Sequence, residues 1–134
     1  MANACIFCMI ASSEAPSWKV YEDASSFAFL DIKPRTAFHT LVVPKEHFSD
    51  IFDLPPDRLT ELARAVKAVV DLFAARLGLR DVQVTNSSGA NAQQDVFHVH
   101  FHVVPREAGD GQDSEWTTHP EWTDRFDSML QQLA

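Results

Sequence analysis

The sequence predicts an α+β domain: an antiparallel sheet of about five strands, one long helix and a C-terminal helix. Two periodicities carry this. Short runs in which apolar and polar residues alternate read as strands, since strand side chains switch faces at every residue. One stretch, Leu59 to Leu77, instead repeats its apolar residues every three or four positions, which is the α-helical period. The third observation is order. Strands lie on both sides of that single long helix, as in a sheet with helices packed against it.

Cys5-Ile6-Phe7-Cys8-Met9-Ile10-Ala11 reads as a helical turn, and Ser12 to Ser17 as a loop. Trp18 to Tyr21 and Phe27 to Asp31 are strands, joined as a hairpin by the turn Glu22 to Ser26. Lys33 to Thr36 is a second turn, and His39 to Pro44 a third strand closed by proline. Pro55-Pro56-Asp57 announces the long helix, since proline and an acidic residue both suit a first turn. Its stripe is Leu59, Leu62, Val66, Val69, Val70, Phe73 and Leu77, and Gly78 is placed to cap it. Val82 to Asn86 is the fourth strand and Ser87 to Asp95 a polar loop. The fifth strand is Phe97 to Val104, ended by Pro105, which has no N–H for the ladder. A last amphipathic helix is expected over Pro120 to Ala134, with Trp122, Phe126, Met129 and Leu130 on one side.

The chain has 134 residues, which suits one domain with a single core. No internal repeat, low-complexity tract or interdomain linker interrupts it. Its net charge of −8 argues against gripping a nucleic-acid backbone, which is held mainly by Lys and Arg. A single mononucleotide needs fewer cations, because backbone N–H groups, imidazoles and a helix end can hold it. No apolar run is long enough to cross a membrane. Met1 to Cys5 lacks a basic stretch followed by an apolar run, so no signal peptide and a cytoplasmic location are expected.

The fifth strand carries the chemistry. His98, His100 and His102 alternate with Val99, Phe101 and Val103, so the imidazoles should share one face while the apolar residues enter a core. An imidazole can be a nucleophile, a general acid or base, or a metal ligand near neutral pH. Two chemical readings follow: a zinc enzyme with His-x-His on one metal, or nucleophilic attack at phosphorus by the central imidazole. Cys5 and Cys8 are the only cysteines, too few for a disulfide framework. As Cys-x-x-Cys they suit a redox pair or, better, half of a zinc site.

With these motifs in place, the chain resembles the histidine-triad (HIT) family of nucleotide hydrolases and transferases. The resemblance rests on His98-Val99-His100-Phe101-His102-Val103-Val104, on Phe29-Leu30-Asp31-Ile32, on His39-Thr40-Leu41-Val42-Val43-Pro44-Lys45-Glu46-His47, and on Cys5-Ile6-Phe7-Cys8. It covers roughly residues 5 to 106, leaving 107 to 134 as a C-terminal extension of a single domain. It implies a homodimer that binds a purine nucleoside monophosphate. His100 would attack the α-phosphate and form a nucleotidyl-histidine that water then hydrolyses. His102 would hold the phosphate and protonate the leaving group, and His39 would relay protons. Asp31 would take the ribose hydroxyls, and Phe7, Ile10 and Ile32 would surround the base. Asn86, Gln94 and Asp95 would meet the phosphate or leaving group. Cys5, Cys8, His47 and His98 would hold a structural zinc, so His98 belongs to the triad and to the metal site together.

The substrates implied are nucleoside 5′-phosphoramidates, dinucleoside polyphosphates and related conjugates. The alternative is a nucleotide- or partner-binding protein with little catalysis, and a third reading makes the triad a catalytic zinc site. Three positions depart from the family pattern. Gln93 and Phe38 stand where glycine is common, and Asp95 stands where several relatives carry a hydroxyl. His119 is expected to be a solvent-exposed tail residue.

Overall fold

The computed structural model describes residues 5–134. The expectation that no leader is present rests largely on residues 1–4, which lie outside the described residues. Among the described residues five antiparallel strands form one sheet: β1 (Lys19–Glu22), β2 (Ser26–Leu30), β3 (Thr40–Pro44), β4 (Val82–Thr85) and β5 (Phe101–Pro105). Their order in space is β1-β2-β3-β5-β4, so the triad strand sits inside the sheet and β4 forms one edge. Among the described residues three α-helices accompany them: α1 (Ile6–Ala11), α2 (Pro56–Leu77) and α3 (Phe126–Leu133).

Register sorts the side chains onto two faces. Ala28 pairs with Val42, and Val42 with Phe101; Phe27 pairs with Val43, and Leu41 with His102. The first set joins Val99 and Val103 against Leu54 and the α2 residues Leu62, Ala65, Val69 and Phe73. The second set, Phe27, Phe29, Leu41 and Val43, packs under Phe7, Ile10 and Ala11 of α1. Both faces of the sheet are therefore covered. Burying each large apolar side chain contributes about 1.5–3 kcal/mol, and α2 supplies most of one face.

α2 begins at Pro56 after the extended Pro55, with Asp57 in its first turn. It ends at Gly78, whose φ of 67° is the left-handed conformation that glycine adopts freely. The buried stripe runs Leu62, Ala65, Val69, Phe73, with Leu59, Val66 and Val70 partly buried beside it. Ala65 takes a central place because three- and four-residue steps from Leu62 reach it. Leu77, in the last turn, stays 41% exposed.

Two segments differ from expectation. β5 starts only at Phe101, so His98 and His100 lie in an irregular lead-in. Its backbone groups find partners outside a ladder: the Val99 N–H donates to the Phe48 carbonyl (2.7 Å), and the Asn86 Nδ2 to the His100 carbonyl (2.9 Å). With those groups satisfied elsewhere, the ladder does not extend to them. Alternation nevertheless persists, with Val99 in the α2 core and both histidines beside Phe7. The C-terminal helix also begins differently. Pro120–Arg125 is a 3-10 turn, and α3 follows it with no buried residue. Among the described residues, no helix is long and apolar enough to cross a membrane.

Candidate functional site

Backbone partners decide which nitrogen of each histidine carries the proton, since a carbonyl only accepts and an amide N–H only donates. His98 Nε2 lies 2.8 Å from the Pro44 carbonyl, so it is the protonated nitrogen. His98 Nδ1 is then a lone pair, and it faces Cys5 Sγ and Cys8 Sγ at 3.4 Å each and His47 Nδ1 at 3.1 Å. Cys8 Sγ is 3.3 Å from the same His47 nitrogen. All four ligand atoms lie within 4.8 Å of one another. A tetrahedral zinc with bonds of about 2.0–2.3 Å spaces its ligands roughly 3.3–3.8 Å apart, close to this arrangement. The donor set fits that ion. Burial and the neighbouring Cys5 push the Cys8 thiol up to about 11, so without a cation to favour the thiolate it stays protonated.

His100 is set the other way round. Its Nδ1–H donates to the His98 carbonyl at 2.8 Å, which leaves Nε2 as an unprotonated lone pair. Phe7 packs edge-on against this ring at 5.2 Å between centroids. His39 Nδ1 accepts the Arg35 backbone N–H (3.0 Å), so its proton is on Nε2. That proton points to His102 Nδ1 at 2.9 Å, which leaves the His102 proton on its own Nε2. Burial, then the neighbouring His100, His39 and Arg35, lower His102 to about 4, and burial lowers His39 as well. Both rings are neutral near pH 7, His102 with an N–H available to donate. Asp31 Oδ2 lies 3.6 Å from His39 Nε2, while Oδ1 accepts the Lys33 N–H at 2.8 Å.

His100 and His102 face a cavity of about 250 Å³. Phe7, Ile10 and Phe29 form an apolar wall, and Asp31, Ile32, Lys33 and Asp95 also line it. A larger cavity of about 360 Å³, at Arg35, Phe38 and Leu77, holds none of the histidines. Of the residues singled out in the sequence, Phe7, Ile10, Asp31, Ile32, Asp95, His100 and His102 come together here. Gln94 and Asn86 do not line the cavity. Gln94 is buried, taking the Gly89 N–H on its carbonyl oxygen and donating Nε2 to the Ser49 carbonyl, so its side chain braces the loop. Asn86 holds the His100 carbonyl and accepts from the Ser88 hydroxyl. Asp95 Oδ1 lies 3.8 Å from His100 Nε2 and accepts the Val96 N–H at 2.8 Å.

Trp18, Phe29 and Lys33 line the cavity without having been singled out. Only Phe29 left a signal, the alternation that puts it on the same face as Phe27. Phe38 and Gln93 have φ of 66° and 71°. Both positions are left-handed, which is the physical reason glycine suits them. His119 stacks on Trp122 in the C-terminal 3-10 turn, 4.1 Å between ring centroids.

A family model for the HIT domain matches residues 12–109. The chain is 45% identical over 108 residues to an uncharacterised HIT-like protein of Methanocaldococcus jannaschii, covering 81% of this chain and 83% of that one. It is 41% identical over 103 residues to an adenosine 5′-monophosphoramidase of Saccharomyces cerevisiae, covering 77% of this chain and 63% of that one. Among solved structures it resembles a zinc-bound histidine triad family protein from Mycobacterium smegmatis, with a TM-score of 0.79 and 35% identity over 99% of this chain and 97% of that one.

Proposed function

The chain belongs to the HIT family, and from that premise we propose that it is a nucleotide hydrolase or transferase using His100 as its nucleophile. The observation that carries this is the orientation of His100. The His98 carbonyl holds its Nδ1–H, which leaves the Nε2 lone pair 3.8 Å from Oδ1 of Asp95, a residue that lines the same cavity. A neutral imidazole so held attacks the α-phosphate of a nucleoside 5′-phosphoramidate, dinucleoside polyphosphate or related conjugate. As the Nε2–phosphorus bond forms, the imidazole becomes cationic, and the His98 carbonyl stabilises the charge at Nδ1. His102 donates its Nε2 proton to the leaving group. Water then breaks the Nε2–phosphorus bond and releases the nucleoside monophosphate. A monophosphoramidase among the relatives supports this chemistry.

The other residues position the parts. Asp31 accepts hydrogen bonds from the ribose hydroxyls, and Phe7, Ile10 and Ile32 enclose a purine base. His39 fixes the proton on His102, and Asn86 and Gln94 hold the backbone around the phosphate. Cys5, Cys8, His47 and His98 would hold zinc, which when bound supplies a closed four-ligand tie between α1, the segment after β3 and the triad. His98 then transmits position through its carbonyl, one bond network from the nucleophile. Residues 5–106 form the catalytic core and 107–134 an extension of the same domain. A second copy is expected at β4, an edge strand that leaves Val82 and Val84 37% and 44% exposed.

The test is hydrolysis of adenosine 5′-phosphoramidate by the natural protein and by His100→Ala. AMP released by the natural protein alone supports the reading. Equal release by both refutes it, and tight binding of AMP with no turnover by either makes the chain a binding protein.

A further inference from the structure

We infer that Asp95 selects the leaving group. Its carboxylate favours nucleotides that lose an amine over nucleotides that lose a polyphosphate. This rests on His100 acting as the nucleophile at this cavity.

Asp95 Oδ1 is 3.8 Å from the attacking nitrogen and is held in place by the Val96 N–H. The other charged groups lining the cavity are Asp31 and Lys33, so two carboxylates face one ammonium. Among the described residues no arginine lines it; Arg35 lines the larger cavity instead, although its charge still acts on His39 and His102, and it does so equally in natural protein and variant. Polyphosphates are ordinarily gripped by clustered Arg and Lys, and this cavity offers them a carboxylate beside the reacting atom.

The charges sort by what they share. Repulsion between Asp95 and the α-phosphate acts on every substrate and cancels in a ratio. So does the attraction between Asp95 and the imidazolium formed on attack, which offsets that repulsion. What remains is the leaving group. In a phosphoramidate the phosphorus–nitrogen bond breaks, the nitrogen takes its proton from His102 Nε2, and a neutral amine departs. Water supplies one proton back to His102 and its oxygen to the phosphate, so the sum is phosphoramidate plus water giving monophosphate plus amine. A nucleoside polyphosphate departs with several negative charges. At roughly 7 Å in a solvent-exposed site, two or three unit charges amount to about tenfold in rate. Asp95 is largely exposed, so salt weakens the effect.

The experiment compares kcat/KM for adenosine 5′-phosphoramidate and diadenosine tetraphosphate, in natural protein and Asp95→Asn. Asparagine keeps the oxygen that accepts the Val96 N–H and removes the charge. The natural protein should prefer the phosphoramidate, and Asp95→Asn should shift the ratio toward the tetraphosphate by about tenfold, less at high salt. Phosphoramidate turnover with an unshifted ratio, or with no tetraphosphate activity gained in the variant, overturns the role of Asp95 and leaves His100 standing. Turnover of neither substrate by the natural protein overturns the nucleophile and this inference with it.

Discussion

Gln93→Gly tests the left-handed turn that leads into Asp95 and the triad. Gln93 has φ of 71°, and its side chain is exposed. An L-residue in that conformation costs about 1–2 kcal/mol through the clash of its Cβ with the following carbonyl. Glycine removes the clash but gains freedom in the unfolded chain, which costs about 0.5–1 kcal/mol. The difference is a net stabilisation of roughly 0.5–1 kcal/mol, or about 2–4 °C in Tm. Gln93→Ala keeps the Cβ and should leave Tm unchanged. Phe38 has φ of 66°, yet its ring packs 6.1 Å from that of Phe73. That contact contributes about 0.5–1.5 kcal/mol beyond buried area, so Phe38→Gly should gain little or lose. Thermal and urea unfolding followed by circular dichroism decides the point. A Gln93→Gly variant no more stable than Gln93→Ala would refute the claim that strain at this turn costs stability.

Three further outcomes follow from the same geometry. Metal analysis should find about one zinc per chain, bound by Cys5, Cys8, His47 and His98, and Cys5→Ser and Cys8→Ser should each lose it and melt earlier; zinc retained in both would place it elsewhere. His102 is held down to about 4 by burial, below the unfolded histidine value of about 6.5. The unfolded state therefore takes up this proton first as pH falls, so stability is full above about pH 6.5 and declines between about 6.5 and 4. His102→Gln should decline less across that window in pH-dependent melts, and an identical decline would remove His102 as a cause. Val84→Lys places a charge on the exposed edge strand and should convert a dimer to a monomer in sedimentation; a natural protein that sediments as a monomer would contradict β4 as the pairing edge.

Much of the fold was legible because its signals are local. Phe27 and Phe29 alternate with Ala28, and the two sets enter different cores. The α2 stripe follows a three- and four-residue period, and Gly78 sits directly after the last turn it caps. What was not legible depends on distant partners. β5 stops short of His100 because Phe48 and Asn86 take up backbone groups of that segment, and neither is near it in sequence. The triad's shared face survives, since Val99 still enters the α2 core. The protonation pattern was also hidden. It runs from the Arg35 amide through His39 to His102 across the β3–β5 pairing. The resemblance puts the side chain or backbone of Gln94 at the phosphate or leaving group, and the bonds of its side-chain amide to Gly89 and Ser49 left no signal in the sequence. At the C-terminus, the apolar side of α3 was visible in sequence, while the 3-10 start at Pro120 was not.

The most direct test of the account is the covalent intermediate. Rapid mixing with excess adenosine 5′-phosphoramidate, an alkaline denaturing quench and intact-mass measurement should show protein heavier by one adenylyl group, with peptide mapping placing it on His100. Labelled protein carrying the group on any other residue, or turnover undiminished in His100→Ala, would contradict His100 as the nucleophile.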